Sequence, residues 1–514
     1  MATTEESFIY RLPDELLLHV ARQLRPRRRL ATLGPLRSLS RTSKKLHSIA
    51  QEELYAGAWL PVSCGCHPRV NAAVQLLRTL LQRPERAAKV KKLRFSIVRR
   101  RVDELYREKQ FDLDGIRAQC FKRLTALGYL EGHPWWTSLA NDVESAYVGV
   151  LLSLLPNLET LHFTVREHHR GWPTLEPMSA LFGMSTAPDA VVAALKNVRK
   201  LSTQDYGFMR DVSISKLKQL SLTRLDTGTV LRLNGPNSLP GATELQELCV
   251  GVSVQLLEAM YMHEMRVCLR DLFEALGCKK LKTLRIMLFN DAYCLGLTPV
   301  FSIQYFMKQL EPVLPTLRTL EIVLDFDDES TEWAWFFTQC EDPIESFEKL
   351  PVLEHLKLPQ EFLFKYGGDR GISPVNIPKS LKSLGIVAPD HDIIEWVMKL
   401  LTLDDSSNVG LKTFVLHCRD GLIGPASDFA SNVSPVWVEL FDSYGIQSFL
   451  CDGRDGEKVS LTKLYELDPE DAWEDEEEDE ADEDDDDDDD MPSLEDPDSV
   501  QDELDREMYI AEVD

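Results

Sequence analysis

The chain has 514 residues, of which 44% are hydrophobic, and a formal net charge of −27 at pH 7. This length predicts two to four domains, and the apolar content is sufficient for a large core. The negative charge belongs to one end, because residues 466–514 contain 29 Asp and Glu but one Arg, whereas the rest contains 55 acidic and 56 basic residues. The body of the protein is therefore close to neutral.

The apolar runs and the cysteines favour a soluble protein of the cytoplasm or the nucleus. The longest uncharged apolar runs, 145–158 and 292–307, contain Pro and are shorter than the roughly twenty residues that a membrane span requires. The first residues are partly acidic and lack the apolar stretch of a signal peptide. Scattered cysteines in apolar surroundings, such as Cys249, Cys278 and Cys418, are typical of free thiols in a reducing compartment.

Three short helices are predicted between Leu12 and Leu54. Pro13 suits the start of the first helix, since its missing N–H costs nothing in the first turn. Leucines at helical spacing indicate a second helix, interrupted by Gly34 and Pro35, and a third helix up to Leu54. In the first helix, Leu16, Leu17, Val20, Ala21 and Leu24 are predicted to share one apolar stripe. Leu18 falls outside that stripe, so this helix is expected to be apolar on more than one side. This stretch is too short to bury all its leucines, so a partner or a neighbouring domain must cover them.

The order of these motifs resembles the F-box. The sequence Leu-Pro-Asp-Glu-Leu-Leu at residues 12–17 is followed by further leucines, an Arg/Ser-rich third helix and Leu-Tyr at residues 54–55. F-boxes dock onto a Skp-type adaptor of cullin-based ubiquitin ligases, so the resemblance implies a docking module over residues 1–60. The residues that would contact the adaptor are Leu12, Pro13, Leu16, Leu17, Val20, Leu24, Leu46 and Ile49. The alternative is an ordinary three-helix packing unit.

Residues 61–140 are predicted to form a mixed, mainly helical connector. A helix is expected at 74–81, a strand at 90–97 and a long charged helix at 103–130. The Gly, Pro and Trp residues at 132–136 predict a loop.

A spacing of apolar-x-x-apolar-x-apolar recurs through the middle of the chain. The period-2 end of each copy suits a short strand with one buried face. The clearest copies begin at Leu158, Leu217, Leu245, Leu281, Leu317, Leu353, Leu381 and Leu411, with weaker ones around Val90, Val198 and Ile446. Helix-like segments lie between them, at 141–155, 187–195, 256–276, 303–314 and 392–403. Strands and helices that alternate in this way predict an α/β class with a stacked solenoid.

The repeats resemble a degenerate leucine-rich-repeat domain of the kind found in fungal-type F-box proteins. Residues 141–465 are therefore expected to form an irregular solenoid, since the copies lack the family's Asn or Cys and recur at 28 to 36 residues, longer than is usual. The resemblance places an exposed row on the concave face, and its mixed charge suits a protein target but not duplex nucleic acid. The predicted target-binding residues are Thr283, Arg285, Thr319, Glu321, His355 and Lys357. The alternative is that this row is only a solvated surface of the sheet.

No catalytic constellation or cofactor motif is recognisable, so an enzyme is not expected. Cys64, Cys66 and His67 invite a metal interpretation, but a structural zinc site needs four ligands and no second pair stands out, so free thiols are favoured. His162, His168 and His169 are better explained as a solvated loop than as ligands. The acidic cluster 325–329 is better explained as a turn than as a cation site.

Residues 466–514 are predicted to be a disordered acidic tail, because dense like charges repel one another. The tail could solubilise the protein, attract basic partners or fold back on the basic N-terminal segment.

Together, the two resemblances imply a substrate-recognition subunit of a Skp–cullin–F-box ubiquitin ligase. The alternative is an F-box-like scaffold outside any ligase, or an acidic-tailed binder of basic proteins. The two readings differ in one respect: in a scaffold, the apolar faces of residues 1–60 would be covered by the chain's own repeats.

Overall fold

The chain divides into two units, residues 1–465 and residues 466–514. The predicted disordered tail makes up the second unit and lies outside the described residues. The computed structural model describes residues 12–24, 34–60, 72–98, 112–166, 189–205, 210–213, 221–234, 243–253, 269–289, 302–324, 343–344, 347, 349–364, 377–389, 392–402, 410–418, 435–451 and 458–462.

Three helices form the N-terminal module: α1 (Asp14–Gln23), α2 (Gly34–Thr42) and α3 (Lys44–Ala56). Gly34 and Pro35 begin α2 and do not interrupt it, because a proline in the first turn removes an N–H that has no helical partner. Ser43 caps α3 by accepting a hydrogen bond from the Leu46 N–H at 3.2 Å. Gly34 and Pro35 are thus the first described residues of α2, and the part of the second helix predicted before them, at Leu30 and Leu33, lies outside the described residues.

The described part of the chain has a mostly parallel sheet of fourteen strands that lie side by side in chain order. Two strands depart from this pattern: β5 pairs only with β6, and β14 runs antiparallel to β13. The strands are β1 (Gly57–Trp59), β2 (Lys92–Val98), β3 (Thr160–Arg166), β4 (Lys200–Asp205), β5 (Arg210–Ser213), β6 (Arg224–Asn234), β7 (Glu247–Ser253), β8 (Thr283–Phe289), β9 (Thr319–Leu324), β10 (His355–Pro359), β11 (Ser383–Val387), β12 (Thr413–His417), β13 (Gln447–Cys451) and β14 (Lys458–Ser460).

Further helices connect the strands and pack on one side of the sheet. They are α4 (Ala72–Gln82), α5 (Leu113–Ala126), α6 (Pro134–Ala140), α7 (Glu144–Ser153), α8 (Asp189–Ala194), α9 (Leu269–Leu276), α10 (Ile303–Gln309), α11 (Asp392–Thr402) and α12 (Pro435–Ser443). Short 3₁₀ helices lie at Pro84–Lys89, Leu195–Asn197, Leu314–Thr316 and Gln360–Phe362. The Phe441 ring of α12, for example, stacks on Phe414 of β12 at 5.2 Å between centroids. The predicted α/β class is confirmed.

A column of buried apolar side chains runs across the sheet. Period-2 alternation places them all on the side that faces the helices, where they form the main core. The column consists of Leu93, Leu161, Leu201, Leu225, Leu248, Leu284, Leu320, Leu356, Leu384 and Phe414, which pair in register from strand to strand.

One predicted repeat copy has the wrong register. The copy that begins at Leu217 would place Leu220 in the column, but the strand begins at Arg224 and Leu225 pairs with both Leu201 and Leu248. Leu222 is buried at the position three residues earlier. Leucines are so dense in this segment that the spacing alone does not distinguish the two frames.

In the connector, the structure differs from one predicted helix and from one predicted loop. The long helix expected at 103–130 is described as α5, which begins after Asp112; the Asp112 carboxylate accepts the Gly115 N–H at 2.8 Å and caps it. The loop expected at 132–136 gives way to α6 at Pro134. Trp135 is fully buried there, and its indole N–H donates to the Ala146 carbonyl at 3.0 Å, so packing overrides the loop-forming residues.

Ion pairs join successive strand-and-helix units along the edge where the strands begin. The Glu354 carboxylate lies 3.2 Å from Arg318 Nη1 and 2.7 Å from Lys382 Nζ. Glu311 similarly bridges Arg270 and Lys349, at 3.5 Å and 2.7 Å. The hydrogen bond to Lys382 lowers the pKa of Glu354, and the hydrogen bond to Lys349 lowers the pKa of Glu311.

Because the pKa values of Glu311 and Glu354 are lowered in the folded protein, we expect the fold to lose stability in acid. A lowered pKa means that the folded state favours the charged form, so the contribution is present at neutral pH and is lost as pH falls below about 4. We expect the double variant Glu311→Gln/Glu354→Gln to melt a few degrees below the unmodified protein at pH 7. The difference between the two melting temperatures should shrink as the pH is lowered below about 4, and a difference that stays constant would contradict the assignment. Thermal unfolding followed by circular dichroism measures both.

Candidate functional site

The N-terminal module has a small core of its own. The buried residues of this core come from all three helices, and within the described residues they form a cluster separate from the main core of the sheet. They are Leu17, Ala21, Leu36, Leu46 and Ile49, and Leu12, Leu18, Leu24, Leu39 and Leu54 pack around them. The module therefore closes its own interior without the strands.

A second apolar side of α1 remains exposed. Leu16 is 52% exposed and Val20 is 42% exposed, and Pro13 is exposed as well. Spacings of three and four residues place these side chains on one side of the helix. We call Pro13, Leu16 and Val20 the α1 stripe. Of the large apolar side chains that are exposed in the described part of the chain, only Leu16 and Val20 share a helix.

Polar contacts hold α1 in place and leave the α1 stripe uncovered. Lys45 Nζ donates to the Leu12 carbonyl at 3.1 Å and lies 3.1 Å from Asp14 Oδ1. At the other end of α1, Arg22 Nε lies 3.1 Å from Oε1 of Glu53, whose side chain is 4% exposed. Both contacts join α1 to α3, so the packing of α1 on α3 determines the direction in which the α1 stripe points.

The eight residues predicted to contact an adaptor fall into three groups. Pro13, Leu16 and Val20 are exposed, and Leu12 and Leu24 are half-buried. The other three, Leu17, Leu46 and Ile49, are buried in the core of the module. Helical periodicity does not separate these groups, because α1 is apolar on two sides and the spacing does not reveal which side packs inward.

Because Leu17 is buried and Leu16 is exposed, substitutions of these two neighbouring leucines should differ strongly in their effect on stability. Leu17→Ala removes a buried side chain and should lower the free energy of unfolding of the module by about 2–4 kcal/mol. Leu16→Ala is its matched control on the exposed side and should change it by less than about 0.5 kcal/mol. Hydrogen exchange of the α1 amides measures the local unfolding. Equal effects of the two variants would contradict the described orientation of α1.

The module joins the sheet without an intervening linker. Helix α3 ends at Ala56 and β1 begins at Gly57, where the Lys91 N–H donates to the Ala56 carbonyl at 3.2 Å. The Arg86 guanidinium also lies over the Tyr55 ring, 4.8 Å from its centroid. The position of α3 relative to the first strands is therefore fixed by backbone pairing and by side-chain contact.

The second candidate surface lies on the side of the sheet that faces away from the leucine column. The six residues predicted to bind a target lie there on β8, β9 and β10, in two registered rows. The first row is Thr283, Thr319 and His355, and the second is Arg285, Glu321 and Lys357. The structure thus brings together side chains that are up to 74 positions apart in the sequence.

The charges of the second row largely compensate one another. Arg285 Nε lies 3.6 Å from Glu321 Oε2, and Lys357 follows Glu321 in register on the next strand. One carboxylate thus lies between two cations at the centre of the sheet. This region can donate and accept hydrogen bonds, but it presents little excess charge to a ligand.

The row of Arg285, Glu321 and Lys357 does not continue with charged side chains on the next strand, β11. The next position after Lys357 is Gly385, which is buried, and a side chain there would approach Lys357 and His417 within 3.4 Å. The sequence also does not predict surface residues on β2 and β4, because the repeat pattern is weak around Val90 and Val198. Strand β2 nevertheless pairs with β3, and β3 with β4, in the same register as the stronger copies.

The thiols of the described residues are mostly buried. Cys120, Cys278, Cys418 and Cys451 are buried and Cys249 is half-buried, all as free thiols. Burial raises the pKa of Cys120 to about 12, so this thiol stays protonated at neutral pH.

No group of three metal-ligating side chains occurs among the described residues. His162 lies on β3, with Nδ1 2.8 Å from Ser202 Oγ, and not in the predicted loop. The other metal candidates, Cys64, Cys66, His67, His168, His169 and the acidic cluster 325–329, lie outside the described residues. Within the described helices, none has the length and apolar character needed to cross a membrane.

In comparisons with known proteins, no protein-family model matches the chain and no match is found among the curated proteins.

Proposed function

We propose that this chain is the substrate-recognition subunit of a Skp–cullin–F-box ubiquitin ligase. In this proposal the N-terminal module acts as an F-box and binds a Skp-type adaptor through the α1 stripe. The sheet domain acts as an irregular leucine-rich-repeat solenoid that holds a target protein. The chain contributes no catalytic group, since its role is to bring the target close to the ubiquitin-conjugating enzyme.

The single observation that carries the proposal is the exposed α1 stripe on a module with a closed core. Burial of a Leu or Val side chain stabilises a complex by roughly 1.5–3 kcal/mol relative to exposure. Two such side chains on one side of a helix, with half-buried Leu12 and Leu24 close by, therefore provide an apolar centre for an interface. Two residues of the α1 stripe, Pro13 and Leu16, belong to the segment 12–17 that resembles the start of an F-box. Because F-boxes bind a Skp-type adaptor, we infer that the α1 stripe is the surface that binds it.

The sheet supports the second half of the proposal. Mostly parallel strands that lie side by side in chain order are the arrangement that stacked repeats produce. The intervals between Leu248, Leu284, Leu320 and Leu356 are constant at 36 residues. The direct connection from α3 to β1 would hold a target at a defined distance from the adaptor, which favours proximity catalysis.

A scaffold outside any ligase is the competing function. It would require the apolar sides of the N-terminal helices to pack on the chain's own repeats. Leu16 and Val20 remain exposed, which favours a separate partner for the α1 stripe.

Co-expression with a Skp-type adaptor tests the proposal. The two proteins should elute together from size-exclusion chromatography in a one-to-one ratio, and addition of a cullin should shift the complex to larger size. Elution of this chain alone, at concentrations that saturate known F-box complexes, would contradict the proposed function.

A further inference from the structure

Two exposed lysines lie on the first strands of the sheet, on the face that points away from the helices. Lys92 of β2 and Lys200 of β4 are both exposed and flank Thr160 of β3 in one registered row. Within the described part of the chain, neither ammonium group has an acidic partner. Neighbouring strands lie about 4.8 Å apart, so the two lysines are about 9.6 Å apart at their Cα atoms.

The surroundings of this row are basic and rich in hydrogen-bond donors. The next row on the same face holds Arg94, His162 and Ser202, all half-buried. Arg224 of β6 continues the row beside Lys200 and is paired with Glu247 at 3.2 Å. The residues just before β2 and β4, Lys91 and Arg199, are also basic, and Lys91 is paired with Glu159 at 3.7 Å. The basic residues of this corner are Lys91, Lys92, Arg94, Arg199, Lys200 and Arg224, and the acidic ones are Glu159, Asp226 and Glu247.

This corner differs from the centre of the same face. On β8 to β10 the carboxylate of Glu321 lies between Arg285 and Lys357, so little charge is left for a ligand. On β2 to β4 the two lysines flank a threonine, and no carboxylate lies between them in the row. The positive excess of the sheet face is therefore at the end nearest the N-terminal module.

We propose that the row Lys92–Thr160–Lys200 binds an acidic segment of the target protein. The inference rests on the proposed function, because it assigns the class of target that the sheet would present. An extended peptide rises about 3.3 Å per residue, so carboxylates a few residues apart can contact both ammonium groups at once. The Thr160 hydroxyl can donate to either carboxylate.

A peptide fits this surface better than a nucleic acid. Nucleic-acid binding requires a longer basic track that neutralises many phosphates. Here the basic corner is interrupted by Asp226 and Glu247, and paired charges follow on the next strands. Two unpaired cations with a hydroxyl between them suit two or three carboxylates of a short acidic segment.

The position of this row also agrees with its proposed role. β2 pairs with β1, and β1 continues directly from α3 of the N-terminal module. An acidic segment bound here would hold the target close to the adaptor. In the proposed ligase this is the end of the sheet from which a target lysine would be presented.

Fluorescence anisotropy with the full chain tests this site. The probe is a short fluorescein-labelled peptide of alternating Glu and Ser pairs, and its control replaces every Glu by Gln. The Glu peptide should bind, the Gln peptide should bind at least about tenfold more weakly, and raised salt should weaken the binding. The variant Lys92→Glu/Lys200→Glu should weaken binding of the Glu peptide by about tenfold or more, since two attractions become repulsions.

A matched variant separates this site from general charge. Lys379→Glu/Lys412→Glu reverses two other exposed lysines, at strands further along the sheet, and should leave binding within about twofold. Equal losses in the two variants, or no binding of the Glu peptide, overturn the inference. Tighter binding of a labelled single-stranded oligonucleotide, lost in the same Lys92/Lys200 variant, overturns it in favour of nucleic acid.

The outcome is independent of the adaptor. Lys92→Glu/Lys200→Glu should still co-elute with a Skp-type adaptor, since neither residue belongs to the α1 stripe. Failure of peptide binding with intact adaptor binding rejects the acidic-target site alone. Failure of adaptor binding in the unmodified chain rejects the proposed function, whatever the peptide result.

Discussion

The double variant Leu16→Asp/Val20→Asp should lose binding to a Skp-type adaptor by more than about 100-fold. Each substitution removes an apolar side chain worth roughly 2 kcal/mol of burial and places a charge in the centre of the interface. The fold should be retained, because both side chains are exposed in the isolated chain. Pull-down and isothermal titration with purified adaptor measure the loss, and circular dichroism verifies the fold.

A chemically matched control makes this result specific. Leu130 and Val352 are also exposed apolar residues, at 63% and 42%, but neither belongs to the N-terminal module. Leu130→Asp/Val352→Asp should leave adaptor binding unchanged. Retained binding by the Leu16/Val20 variant would mean that the α1 stripe is not the docking surface.

The second large effect is expected in the helical layer that packs beside the first strands. Asp142 is buried and accepts hydrogen bonds from Tyr147 Oη at 2.5 Å and from Arg117 Nη1 at 2.9 Å. Burial and the hydrogen bond to Asp142 raise the pKa of Tyr147 far above its usual range, so the phenol remains a donor. This carboxylate joins α5 to the start of α7 across the turn that follows α6.

Asp142→Ala should therefore lower the free energy of unfolding by about 2–3 kcal/mol, because it leaves the buried Tyr147 hydroxyl and the half-buried Arg117 without this acceptor. Asp142 also has a φ of 56°, which an alanine adopts less readily than an aspartate. Asp114 is the control, since it contacts the same Arg117 but is 87% exposed. Asp114→Ala should cost less than about 1 kcal/mol.

Urea unfolding followed by tryptophan fluorescence measures both variants, because Trp135 lies in this layer. Asp142→Asn retains one acceptor oxygen and tolerates the same backbone conformation, so it should lie between the other two. A loss in Asp142→Ala no larger than in Asp114→Ala would show that the buried contacts contribute little.

The sheet was predictable from the sequence where its pattern is regular. Leu284, Leu320 and Leu356 recur at a constant interval, and a period-2 strand leaves one choice for the face that points inward. Their registered pairing therefore follows from the sequence, and so does the grouping of Arg285, Glu321 and Lys357 on the opposite face. The shifted copy near Leu217 shows the limit, because adjacent leucines there fit two frames equally well.

The orientation of the N-terminal helices was less predictable. Leu16 and Leu17 are equivalent as residue types, yet one is exposed and the other is 1% exposed. The difference depends on where α3 lies, which Lys45 and Glu53 determine through contacts about 30 positions away in the sequence. The sequence also does not show that Lys92 and Lys200 lack acidic partners, because their neighbours lie on strands that are distant along the chain.

Hydrogen–deuterium exchange of the purified chain, with and without a saturating Skp-type adaptor, tests the central claim most directly. The amides of α1 (Asp14–Gln23) should exchange more slowly when the adaptor is bound, and a one-to-one complex should form. The amides of β8 to β10 should exchange at the same rate in both samples. Unchanged exchange across α1 at saturating adaptor would contradict the assignment of this module as the docking site.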